Sequence, residues 1–393
     1  DLMRLGFTYT YTYDDAGNRI SKSTYDSTTG DLGIAFSTET YSYSSGGWGD
    51  QLTSSAGYYM SYDSVGNPVS IETPDLEMWS LSWKGRQLQQ IAVWEMSTGA
   101  QYTLSYTYNA DGIRTSKTIN GVEHEYTLRG SLIMSEKWTQ NNVEHLLMYL
   151  YDETGAPIGL QYRNSSYAVS EYDLYFFEKN LQGDIVAIYN ESATKICTYN
   201  YDAWGNFTVT LTSGISTLDS TIANTYNPFR YRGYVYDKET GFYYLQSRYY
   251  DPELGRFINA DNYIATGQGF AGNDMFVYCL NNPVNGCDPC GSCFHHWTFW
   301  NDCEKCGGRN FGQKVVDYWN RINAINQQQQ MLDVQIRQEQ IEIVKSAGKG
   351  IGNVGKEIWD LYMRGYSLQQ EAQRVESQMM VDGITKAFNI IKK

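Results

Sequence analysis

Alternation with a period of two runs through the first two thirds of the chain. In Thr8-Tyr9-Thr10-Tyr11-Thr12-Tyr13 it sets tyrosines on one face of an extended segment and threonines on the other. Such runs end in a recurring Tyr-Asp-x-x-Gly unit. The unit reads Tyr13-Asp14-Asp15-Ala16-Gly17-Asn18, Tyr62-Asp63-Ser64-Val65-Gly66-Asn67, Tyr151-Asp152-Glu153-Thr154-Gly155 and Tyr201-Asp202-Ala203-Trp204-Gly205-Asn206. Tyr108-Asn109-Ala110-Asp111-Gly112 is a looser copy, and Tyr25 to Gly30 and Tyr236 to Gly241 each carry one extra residue. The Asp opens a turn by bonding to the backbone, the Gly supplies the positive φ that closes it, and a return strand follows. Ile20, Val69, Ile158 and Val209 fall in those return strands. One hairpin cannot bury its apolar face alone, so the hairpins must stack into a long sheet. An ordinary antiparallel protein with similar turns is the plainer alternative, but the number of copies favours a repeat.

The pattern changes after about Phe311. Val315, Ile322, Ile336 and Ile343 share one heptad row, with Gln329 in the intervening place, and Tyr318, Ile325 and Leu332 form a companion row that stops at Glu339. This predicts an amphipathic helix. The run Gly348-Lys349-Gly350-Ile351-Gly352 interrupts it, and Ser367 with Gln370 opens a final helix in capping-box spacing. The fold class is therefore mainly β, stacked hairpins followed by a small α-helical C-terminal domain. The plainer reading of the helices is a bundle packing its own core. A membrane-active or enzymatic effector is the functional alternative, although the tail has no Ser-His-Asp order, phosphate loop or His-Glu-x-x-His.

Composition sharpens this picture in two places. There are 35 Tyr and 36 Gly against 7 Pro, which suits strands and turns, and a net charge of −14 argues against general nucleic-acid binding. No run approaches the roughly 20 apolar residues that span a bilayer. Asp1 is not an initiator and Tyr9 to Tyr13 already reads as mid-strand, so the sequence reads as a piece cut from a longer polypeptide.

One stretch carries a family resemblance. Tyr226-Asn227-Pro228-Phe229-Arg230-Tyr231-Arg232-Gly233-Tyr234 leads to Thr240-Gly241-Phe242-Tyr243-Tyr244-Leu245, then Ser247-Arg248-Tyr249-Tyr250-Asp251-Pro252, Gly255-Arg256-Phe257 and Asp261. Asn281-Asn282-Pro283 and Asp288-Pro289-Cys290-Gly291 follow. In nearly unbroken order this resembles the Rhs repeat-associated core of Rhs/YD-repeat proteins, a polymorphic toxin family. The resemblance implies three regions: a YD-repeat β-shell over 1–225, the core over 226–292, and a variable C-terminal helical domain over 293–393 as candidate toxin. It also implies that the hairpins form part of a cocoon-like shell that encloses and delivers this effector. The partners so implied are a cognate immunity protein, a secretion apparatus and a target bacterial cell, with the protein secreted or at the cell surface. A YD-repeat adhesion protein without a toxic payload is the alternative.

The same resemblance implies an aspartyl autoprotease at the end of the core. Asp261 and Asp288 match the family's acid pair, and Ser292–Cys293 is the bond to be cut. Two close carboxylates cannot both ionise easily, so one would hold a proton while the other activates water. Ser292 stands where the family has leucine, and Asp261 is followed by Asn262-Tyr263-Ile264 instead of Pro-x-Gly. Among the nearby arginines, Arg256 is the candidate for a place against the carboxylates. The cysteines Cys290-x-x-Cys293 and Cys303-x-x-Cys306 have knuckle spacing, with His295 and His296 between them. A structural zinc site compatible with cleavage would use Cys293, His295, Cys303 and Cys306, with free or paired thiols as the plainer reading.

Overall fold

The structure, a computed structural model, describes residues 7–26, 32–46, 49–168, 170–261, 274–292 and 295–296. All of them belong to the first of the chain's two units, Asp1–Thr298. The helices predicted beyond Phe311 lie outside the described residues.

Eighteen strands, from Phe7–Tyr13 (β1) to Phe207–Leu211 (β18), make one antiparallel sheet. Each strand pairs with the next in sequence, as in Phe7↔Asp26 at the start and Tyr201↔Phe207 at the end. This is the stacked-hairpin architecture that the repeat predicts. Each turn follows from the motif's chemistry. Asp63 Oδ1 accepts the backbone N–H of Val65 at 3.0 Å and of Asn67 at 2.9 Å, while Asn67 Nδ2 donates to Asp63 Oδ2 at 2.9 Å. Gly66 takes φ +83°, and a Cβ there would meet the Ala260 Cβ at 2.9 Å, so the position needs glycine for conformation and for clearance. Two copies escaped the sequence pattern. Asn180 and Asn190 cap their turns in the same way, and Ala193 occupies the glycine place at φ +57°.

The turns leave a bulge, because Tyr13 pairs with Arg19, and Thr12 with Ser21. Ile20, Val69 and Ile158 are the bulged residues of their hairpins, and Ile20 and Val69 are exposed. They sit in the return strands without contributing to the inner face. The carbonyl beside the bulge is capped by an aromatic donor at the end of the following strand. Tyr43 Oη reaches Arg19 O at 2.9 Å, Tyr108 reaches Leu88 O at 2.9 Å, Tyr151 reaches Ile133 O at 2.6 Å and Tyr201 reaches Ile185 O at 2.8 Å. Trp83 Nε1 does the same to Pro68 O at 2.6 Å. The motif tyrosine thus joins one hairpin to the previous one, which gives the high tyrosine content a physical cause.

The ribbon curls until its ends meet. Trp204, in the last hairpin turn, donates Nε1 to the Tyr11 hydroxyl of β1 at 3.0 Å, and the Arg19 guanidinium stacks on Trp204 at 4.1 Å. Ser216 and Asp219 then form a capping box on a short helix, Thr217–Thr221 (α1), that the sequence reading had not anticipated. The segment that follows has only short strands: Val235–Asp237 (β19), Phe242–Tyr244 (β20), Tyr249–Asp251 (β21) and Arg256–Phe257 (β22). Its side chains fill the inner face of the curled sheet. Phe242, Tyr244, Tyr249, Leu254 and Ile258 pack with Leu81, Ile91 and Leu104 from the strands.

Candidate functional site at the end of the core

Two acidic side chains 27 positions apart in sequence meet at one arginine. Arg248 Nη2 lies 2.9 Å from Asp261 Oδ2 and 3.4 Å from Asp288 Oδ2. The sequence places Arg248 just before β21, in a chain turn held by Leu245 N donating to Arg248 O at 2.9 Å. The guanidinium is buried, lies 3.5 Å from the centre of the Phe257 ring, and donates Nη1 to Met275 O at 3.1 Å. Its Nε donates to the Gly291 carbonyl. The two carboxylates and Arg248 therefore form an arginine-bridged triad.

Arg256 was the sequence candidate for this place, and the structure puts it elsewhere. It lies 3.7 Å from Asp274 Oδ1, donates to Asp50 O, and its guanidinium sits 5.0 Å from the Phe276 ring. The physical reason is strand geometry: Arg256 opposes Asp251 in the β21–β22 pairing, which turns its side chain toward the Asp50 loop.

The residues leading to Ser292 are held closely. Asp288 N donates to the Tyr234 hydroxyl at 2.9 Å, and Asp288 Oδ1 accepts Ser292 N–H at 3.0 Å. The Ser247 hydroxyl donates to Cys290 O at 2.7 Å and lies 2.8 Å from Ser292 Oγ. Gly291 adopts φ +71°, and a Cβ would lie 2.6 Å from Leu245 O, so this glycine of Asp-Pro-x-Gly is required by contact as well as by φ. Gly286–Cys287 (β23) pairs with His295–His296 (β24), so the backbone after Ser292 returns beside the backbone before Asp288.

Two of the nearby thiols, Cys279 and Cys287, are poor nucleophiles. Burial pushes Cys287 up to about 12 and Cys279 well above the usual thiol range. Of the predicted zinc set, Cys293, Cys303 and Cys306 lie outside the described residues, and His295 is described only through its backbone pairing. Ser247 is a residue of the site that the sequence did not single out. Arg248 was weighed there without being preferred. Elsewhere in the core, Cys279, Leu280 and Asn281 form a left-handed turn of three non-glycine residues, at φ +49°, +51° and +60°. No sequence signal marks that turn beyond the Asn.

No family model matches the chain. The tRNA nuclease WapA of Bacillus subtilis (strain 168) is 31% identical over 296 residues, which cover 75% of this chain and 11% of WapA. The chain belongs to the Rhs/YD-repeat family. Toxin protein Tse5 of Pseudomonas aeruginosa is 41% identical over 64 residues, 16% of this chain and 5% of Tse5. Among solved structures, the Photorhabdus luminescens Tc holotoxin pore matches with TM-score 0.53 and 19% identity over 77% of this chain and 14% of that one. The TcdB2-TccC3 crystal structure matches with TM-score 0.52 and 19% identity over 72% and 14%. These structures share the fold with this Rhs protein, whose described residues form a toxin-related Rhs shell. The chain spans about a tenth of the length of the WapA relatives.

Proposed function

We propose that this Rhs protein encloses the segment 293–393 as an effector and cuts the Ser292–Cys293 bond by aspartyl hydrolysis. The observation that carries the reading is the convergence of Asp261 and Asp288 on Arg248, with Asp288 accepting the N–H of Ser292. In the step, one carboxylate takes a proton from water as its oxygen attacks the Ser292 carbonyl carbon. The C–N bond then breaks, and the other carboxyl gives its proton to the departing Cys293 nitrogen, leaving a Ser292 carboxylate and a Cys293 amine. Arg248 opposes the negative charge of the pair, and Ser247 with Arg248 fixes the carbonyls of Cys290 and Gly291. Cys293 itself lies outside the described residues. The β23–β24 pairing supports retention of the effector after the cut, because it joins backbone on either side of the bond.

In this reading the protein is secreted and delivers the effector to a target bacterial cell, and a cognate immunity protein protects the producer. The toxin name of the relative Tse5 supports this over the adhesion alternative. Expression of residues 293–393 inside bacteria, with and without the adjacent downstream gene, tests it. Growth arrest relieved by that gene is the expected result, and harmless accumulation at high yield would overturn the effector reading. For the site, the Asp261→Asn protein should remain uncut while the wild type yields a fragment ending at Ser292.

A further inference from the structure

The acid pair belongs to the core, yet the backbone that carries Asp261 is fixed by the shell. Ala260 N donates to Gly66 O at 3.1 Å, in the turn that Asp63 caps. Arg86, in the turn between strands Glu77–Lys84 and Gln87–Glu95, donates Nη1 to Ala260 O at 2.8 Å across 174 positions of sequence. The two turns are themselves joined, since Asn67 Nδ2 donates to Gly85 O at 2.8 Å. Both backbone polar groups of Ala260 are therefore satisfied by the shell. On the other side, Asp261 N donates to Met275 O at 2.9 Å, and Met275 N donates to Asp50 Oδ2 at 3.1 Å, which is again a shell residue.

We infer that Arg86 is a positioning residue for Asp261, so that the acid pair is completed only when the turns at Asp63–Asn67 and Gly85–Arg86 have seated on the core. This rests on the self-cleavage reading above. The geometry gives Arg86 two roles. Its hydrogen bond fixes the peptide immediately before Asp261, and its charge adds a second cation to the field there. Charged groups near Asp261 include Arg248 and Asp288 from the core, and Arg86 and Asp63 from the shell turns. Partial burial pulls Arg86 below the usual guanidinium range while Asp261 and Asp63 oppose that shift, which agrees with a cation placed beside these carboxylates. Cutting would then be conditional on an assembled shell, and a chain whose hairpins had not yet closed would keep its effector covalently attached.

The test is a cleavage time course on the full chain by intact-mass measurement, at several pH values, for wild type, Arg86→Ala, Arg86→Gln and Arg86→Lys. Arg86→Ala should cut at least tenfold more slowly. Its acid limb should move to higher pH, because a carboxyl that loses a neighbouring cation holds its proton more tightly. Arg86→Lys should restore the rate to within a few-fold and return the limb toward its wild-type position. Arg86→Gln can keep the bond to Ala260 O without the charge, so it should show the displaced limb with a smaller loss of rate. If Arg86→Ala lowers the melting temperature, the Gln and Lys proteins carry the comparison. Wild-type rate and profile in Arg86→Ala would overturn this inference while leaving self-cleavage standing. Equal slowing in all three variants, with an unmoved pH profile, would reduce Arg86 to a packing residue and also overturn it. A wild type that never cuts would remove the self-cleavage reading, and this inference with it.

Discussion

The strands before Leu211 and the segment after Tyr226 are built by opposite means. In the strands, most of the instructions are local. An Asp or Asn caps its own turn within four residues, and the aromatic stitch reaches only to the neighbouring strand. In the core segment the partners are remote and charged. Arg114 donates Nη2 to Asp237 Oδ1 at 2.9 Å across 123 positions, Arg232 lies 3.1 Å from Asp184, and the Tyr243 and Tyr250 hydroxyls donate to Gly205 O and Trp204 O. The difference teaches that the shell can be written as a repeat, whereas the core is a set of anchors addressed to particular turns of that repeat. A defect in one shell turn should stay small, and a defect in one anchor should not.

The largest effect should come from the buried Arg114–Asp237 pair, whose side chains are nearly inaccessible to water. Asp237→Ala leaves a buried guanidinium without its carboxylate, and should cost about 3–5 kcal/mol in a denaturant titration. A loss below about 1 kcal/mol would mean that the core is not held by such anchors. A comparable effect should appear with pH. Burial pushes the Asp251 carboxyl up to about 7 and that of Asp274 up to about 6, with Arg256 pulling the latter back. Both bind protons more tightly in the folded chain than in the unfolded one. Their contribution therefore strengthens as pH falls from about 8 to 5, and is lost as pH rises through the folded values, on the order of 4 kcal/mol in total. The Asp251→Asn/Asp274→Asn protein should show a flatter dependence over that window, since each amide oxygen can still accept the turn N–H groups.

Gly291→Ala should cost about 1–3 kcal/mol, because it meets Leu245 O and requires positive φ. It should also slow the cut, since Ser292 must shift. The smallest effect should be in the shell. Tyr151→Phe removes only the bond to Ile133 O, and should lower stability by about 1 kcal/mol. A loss there as large as that of Asp237→Ala would erase the distinction between repeat and anchor.

The same distinction explains what could be read from the sequence. Asp14, Asp63, Asp152 and Asp202 were legible because their turn chemistry is confined to a few consecutive residues. The turns at Asn180 and Asn190 were not found, because Lys179 stands in the tyrosine place of the first and Ala193 in the glycine place of the second. Ile20 and Val69 read as return-strand residues, and their exposure becomes visible only with the bulge, since one inserted residue turns a side chain to the other face. The Tyr151-to-Ile133 stitch has no local signal, as it depends on which strands are neighbours. At the candidate site, Asp261 and Asp288 came from the family motif, and their convergence is visible only in three dimensions. The choice of Arg248 over Arg256 depends on how β21 and β22 pair, and spacing does not encode that.

The most direct test of the central claim is intact-mass measurement on purified full-length wild type and Asp288→Asn protein, incubated side by side near neutral pH. The wild type should convert to two species divided at Ser292–Cys293, while Asp288→Asn keeps the mass of the whole chain and the melting profile of the shell. A wild type that stays whole after prolonged incubation, or an Asp288→Asn protein that divides at the same bond and rate, would contradict it.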